Sequence, residues 1–160
     1  MKKWLTFIGA FVLSLAIFIS LFVLWQSKLP FSKQEDRAVQ IALDQKTLAQ
    51  VDDVEVYNGT KSYVTVFGMD ENGEDKAVFI PTKASEEPLE EVLLKDGISK
   101  KQAIKVVRDE FNVKEVLHTK LGWEDSKVVW EITFFNENDK LNYVYILFEN
   151  GKWSKRILNL

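Results

Sequence analysis

The chain has no cysteine and a single histidine in 160 residues. Without cysteine there is no disulfide, no thiol nucleophile, no lipoprotein-type attachment and no thiolate for a metal. One histidine, His118, leaves no imidazole pair for zinc. Any Ser–His–Asp arrangement would have to use it, and no serine sits in a G-x-S-x-G elbow. On a segment that reads as strand, His118 fits a surface or half-buried side chain better than a general base. The phosphate-cradling patterns G-x-x-x-x-G-K-[ST] and G-x-G-x-x-G are also missing. These absences leave no assigned catalytic residue, metal ligand or cofactor.

Charge is missing from one long stretch. Residues 4–25 contain no Asp, Glu, Lys or Arg. As a helix these 22 residues reach about 33 Å at about 1.5 Å per residue, enough for a hydrocarbon core of about 30 Å. Trp4 and Trp25 stand at its two ends, where indole rings favour the membrane–water interface. A cleaved secretory signal has a shorter apolar region, about 7–15 residues, and small residues at its cleavage site. Here LWQSKLPFSK follows, with no A-x-A-like pattern. The expectation is an uncleaved anchor over residues 1–28, a single-pass transmembrane helix. Lys2 and Lys3 face Lys28, Lys33 and Arg37 across it, so the positive-inside bias is nearly balanced. The very short N-terminal tail most simply stays cytoplasmic while the large C-terminal part is exported, which places the chain in the cell membrane.

Residues 29–160 keep 18 of the 21 Lys+Arg (Lys2, Lys3 and Lys28 removed) and all 24 Asp+Glu, a formal charge of about −6. Nucleic acid and anionic wall polymers both demand a basic face, so neither is an expected partner.

This acidic part reads as two related halves. FSKQEDRAVQIALDQ returns some 67 residues later as ISKKQAIKVVRDEF. Ser32 with Glu35, and Ser99 with Gln102, fit the S-x-x-[EQ] capping box. Apolar residues then recur at helical spacing: Val39, Ala42 and Leu43 in one copy, Ala103, Ile104, Val107 and Phe111 in the other. Strand signals follow each helix, at 54–57, 63–67 and 77–80, then at 113–120, 128–135, 141–148 and 153–158. Between the halves, PTKASEEPLEEVLLKDG carries the acidic connector Glu86, Glu87, Glu90 and Glu91, and Val92–Leu94 can complete the first sheet as an edge strand. The reading is α+β, each half a helix packed on an antiparallel sheet, with domains at 29–96 and 97–160.

Two features invite chemistry. DENGED, residues 70–75, packs carboxylates around a glycine but lacks the bidentate glutamate that closes an EF-hand loop, and a polar hairpin turn explains the same letters. Aromatic residues concentrate in the second half, where most should be core. Exposed surplus would mark a contact face, since tryptophan and tyrosine dominate hot spots. Trp123, in what reads as the polar loop LGWEDSK, and Trp153 are the candidates, with Lys101 and Arg108 on the second helix as candidate docking charges.

Taken together, VDDVEVYNGTKSYVTVFGMDENGEDKAVFIP, DGISKKQAIKVVRDE and VVWEITFFNENDKLNYVYILFENGK, following a short anchor, resemble the TseB-like (YpmB-like) family of Gram-positive bacteria, described as regulating cell-wall elongation. The second half also resembles PepSY-type modules: Ile98, Ser99 and Ala103 match their helix start, Trp130, Glu131 and Ile132 their first strand, and Tyr143, Val144, Gly151 and Lys152 their second. The aspartate usual in that second strand is absent, with Ile146 or Leu147 near its place. The resemblance implies two tandem cystatin-like (PepSY-like) units outside the membrane and no enzymatic activity. It further implies regulation of wall synthesis by binding a membrane-bound penicillin-binding transpeptidase. The alternatives are a PepSY-type inhibitor or chaperone-like module for an exported peptidase, and a carboxylate-dependent hydrolase of wall polymer.

Overall fold

A computed structural model describes residues 2–83 and 89–160; within its first helix the side chains of residues 2–3, 5–6, 10 and 23–32 lie outside the description. Trp25, as an interface side chain, and Glu86 and Glu87 of the connector therefore fall outside the described residues. The chain forms two compact units, residues 1–36 and 37–160.

α1 runs Lys2–Asp44. One helix thus occupies the segment where an anchor and a separately capped helix were expected. Ser32 lies inside α1 and is not its N-cap. The letters around it explain the continuity: residues 26–44 contain no glycine, and Pro30 is the single strong breaker among good helix formers. Among the described residues no helix is long and apolar enough to cross a membrane, and several side chains of the run 4–25 lie outside the description. Where its side chains are described, they are exposed and, Ser14 and Ser20 apart, apolar, with Trp4 at 76%, Phe7 at 71% and Phe18 at 67%.

The second unit holds two four-stranded antiparallel sheets of the same simple order. The first is β1 (Gln50–Asn58), β2 (Ser62–Met69), β3 (Asp75–Pro81) and β4 (Glu90–Leu93). After α2 (Lys100–Glu110) comes the second: β5 (Val113–Glu124), β6 (Lys127–Asn136), β7 (Leu141–Leu147) and β8 (Trp153–Ile157). The expected edge strand near Val92 exists as β4, paired Ala77↔Val92 with β3.

Strand alternation decides the layers, because successive side chains point to opposite faces. Val64, Val66, Val78 and Ile80 turn one face of the first sheet toward Ala38 and Ala42 in the last two turns of α1. The small alanines let the helix lie close. The opposite face carries Tyr57, Tyr63, Ala77 and Phe79 into a second core, shared with Ala103 and Val107 of α2 and with Leu121, Trp130, Ile132 and Phe134 of the second sheet. Each half therefore completes its core with the other. Fully buried Phe79 and Phe134 contribute about 2 kcal/mol apiece by burial alone.

α2 begins with the expected capping box: Ser99 Oγ accepts from the Gln102 amide at 3.3 Å, and Gln102 Oε1 accepts from the Ser99 amide at 2.7 Å. The preceding residue ties this start to the sheet. Ile98 N–H donates to the Phe148 carbonyl at 2.7 Å, and the Trp130 indole donates to the Ile98 carbonyl at 2.8 Å. Across the two sheets, Thr65 Oγ1 donates to the Leu121 carbonyl at 2.8 Å and Lys120 Nζ to the Val56 carbonyl at 2.6 Å.

Candidate functional site

Trp123 was expected in a loop, and the structure corrects this. β5 extends to Glu124, pairing Trp123↔Val128 and Glu124↔Lys127, so Trp123 is a strand residue. Its ring is half-buried, 5.9 Å from the Phe79 ring. The polar letters that suggested a loop occupy only the tight turn, Asp125 and Ser126, at φ 48° and 61°. Two consecutive left-handed residues match the type I′ turn that a two-residue hairpin prefers; aspartate suits its first position, while Ser126 stands at the second, where glycine adopts it with least strain.

This turn faces another. The β1–β2 tip, which holds Thr60 and Lys61, lies beside the β5–β6 tip, and together with Tyr63, Trp123, Glu124, Asp125 and Ser126 they line a pocket of about 240 Å³. Glu124 joins the tips. Its Oε2 accepts from the Thr60 amide at 3.0 Å and from the Tyr57 hydroxyl at 3.3 Å, while Thr60 Oγ1 donates to Oε1. Burial pushes the Tyr57 hydroxyl far above the ordinary tyrosine range, and the neighbouring Glu124 and Glu131 carboxylates add to it. Tyr57 is therefore a neutral donor that holds the clamp. Beneath it the backbone comes so close that a Cβ on Gly122 would lie 2.3 Å from the Tyr57 ring.

His118, Glu131 and Thr133 form the second polar cluster. Cross-strand pairing His118↔Thr133 and Lys120↔Glu131 places them on one face of the second sheet. His118 Nε2 lies 2.8 Å from Thr133 Oγ1 and 3.3 Å from Glu131 Oε1. Burial, then the nearby Glu131 carboxylate, raises the Tyr145 hydroxyl above the ordinary range. A hydrolytic triad needs the base to meet the nucleophile through one ring nitrogen and the orienting acid through the other. Here hydroxyl and carboxylate both meet Nε2, which is not the geometry of an activated nucleophile.

The other sequence candidates lie apart from the pocket. Trp153 is half-buried, edge-on to Phe111 at 5.6 Å, with the Arg156 guanidinium 4.1 Å from its ring centroid and bonded in turn to Glu110. Its face is engaged within the chain. Lys101 and Arg108 are exposed on α2 and, seven residues apart, share one face about two turns long. DENGED is a turn: Asp70 accepts from the Asn72 and Glu74 amides at 2.8 and 3.0 Å, which holds its carboxyl below the usual range. Glu74 is bonded to Lys95. Among the described residues, no three His, Asp or Glu side chains gather to hold a metal ion.

Sequence reasoning found Trp123 but missed Glu124, Thr60 and Tyr57, which build the pocket around it. A weak signal existed, since an acidic residue next to a hairpin turn is unremarkable until its partner 64 residues away is known.

Comparison with known proteins places these features in context. Residues 37–81, from the end of α1 through β3, match the model of the cell wall elongation regulator TseB-like domain. The chain is 28% identical over 158 residues, 98% of each, to a Bacillus subtilis (strain 168) protein called probable cell wall elongation regulator TseB. A solved structure, the YpmB protein from Bacillus subtilis, superposes with a TM-score of 0.70 at 29% identity, covering 78% of this chain and 96% of that one.

Proposed function

The chain is TseB/YpmB-like, and on that premise we propose that it is a membrane-anchored, extracytoplasmic, non-enzymatic regulator of cell-wall synthesis. It acts by binding a penicillin-binding transpeptidase. The observation that carries this reading is the end-to-end similarity, over 98% of both chains, to a protein named a probable cell wall elongation regulator.

Two physical features support it. Residues 4–25 lack charge, and their described side chains are exposed and, Ser14 and Ser20 apart, apolar, as on a helix whose surroundings are lipid. In the second unit, the single histidine is committed through one nitrogen to two neighbours, an arrangement suited to holding a sheet face rather than to turnover. A tether to the bilayer raises the local concentration of the module beside other membrane proteins, so a weak contact suffices.

The test is cross-linking of the intact chain in its native membrane, followed by identification of what is recovered. The reading expects a penicillin-binding transpeptidase. Recovery of no wall-synthesis component, with the cross-linked chain itself recovered in good yield, contradicts it.

A further inference from the structure

The hairpin-tip pocket has a character of its own, and we propose that it binds one pyranose ring of a neutral saccharide. This goes beyond the regulator reading, which stands whether or not the pocket binds sugar.

The chemistry of the lining narrows the ligand. Glu124 and Asp125 disfavour an anion, while Lys61, which has a partner of its own, keeps a positive charge on the same rim. What both signs together suit is a neutral molecule rich in donors and acceptors. Thr60 and Ser126 add hydroxyls to that rim. The wall differs from the rim: Trp123 supplies an indole, and a flat aromatic surface fits the apolar C–H face that a sugar ring presents. A single sugar ring has a polar edge and an apolar face and fits within about 240 Å³. That volume is below the roughly 300–1,000 Å³ of sites that engulf drug-sized ligands, so the rest of a longer glycan would stay outside.

Two further observations indicate a prepared site. Glu124 spends its carboxylate on Thr60 and Tyr57, fixing the tips before any ligand arrives. Asp125 forms no hydrogen bond or ion pair among the described residues, leaving its carboxylate for a sugar hydroxyl. Ser126 also holds a left-handed backbone position that glycine would adopt more easily. A side chain retained there in place of glycine fits a residue that contributes its hydroxyl to the rim.

The experiment uses the full chain, labelled with 15N at tryptophan, in a zwitterionic detergent without sugar headgroups. The Trp123 indole resonance is assigned with Trp123→Phe, which keeps an aromatic ring against Phe79. Diacetylchitobiose and maltose are titrated, with arginine amide and acetate as ionic controls. The proposal expects a saturable shift of the Trp123 indole with a saccharide and none with either control. The double variant Asp125→Asn/Ser126→Gly relaxes the turn, so it should unfold at higher temperature yet bind at least about tenfold more weakly, one lost hydrogen bond's worth. Three results would overturn the proposal: no Trp123 shift with any saccharide in the folded protein, the same shift with arginine amide, or undiminished binding by the relaxed variant.

Discussion

Thr60 and Glu124 stand 64 residues apart in the chain, yet the Thr60 amide donates to the Glu124 carboxylate at 3.0 Å. This bond joins a hairpin of the first sheet to a hairpin of the second. It makes the two halves one structure at the point where the pocket forms.

Glu124→Gln should therefore destabilise the second unit. It keeps the shape but replaces a charged acceptor of several hydrogen bonds with a neutral one, at a cost of about 1–2 kcal/mol. Urea unfolding followed by tryptophan fluorescence checks this, and Thr60→Val combined with Glu124→Gln should cost less than the sum of the two single changes.

Gly122→Ala should cost about 1–3 kcal/mol through overpacking, because the added methyl meets the Tyr57 ring in a fully buried position. Tyr57→Phe leaves the ring and so should not relieve the clash. Thermal unfolding of the single and double variants distinguishes this steric account from one based on the hydroxyl.

Alkaline pH should unfold the protein. Burial holds the Tyr57 and Tyr145 hydroxyls protonated beyond the ordinary value near 10, with Glu131 acting on both. Above pH 10 the unfolded chain releases those protons while the folded chain keeps them. Unfolding then becomes progressively easier as pH rises through and beyond 10. Denaturant midpoints measured from pH 8 to 12 should fall on the alkaline side, less steeply in Tyr57→Phe.

Much of this architecture was legible in the letters because it is local. The capping box at Ser99, the alternation Val128, Trp130, Ile132, Phe134 and the turns around Gly73 and Gly151 each announce an element within a few residues. The errors also have local causes. Ser32 and Glu35 carry the same box as Ser99 and Gln102, but at Ser32 a helix already running continues past it. Trp123 sits beside Glu124, Asp125 and Ser126, so composition pointed to a loop where cross-strand pairing to Val128 keeps a strand. The pocket was illegible for a different reason. Its clamp depends on how one sheet meets the other, through Tyr57 over Gly122 and Thr60 on Glu124, and no window of sequence contains both partners.

The account's central claim is that a lipid-held module influences wall growth by contact rather than by chemistry. Its most direct test is the rate of new-wall incorporation, by pulse labelling, in cells lacking the chain and then supplied with variants. His118→Gln should restore the rate fully, as a regulator acting by contact predicts, whereas residues 29–160 exported behind a cleavable leader should restore little of it. Full activity of the released portion, or loss of activity in a stably folded His118→Gln chain, would contradict the claim.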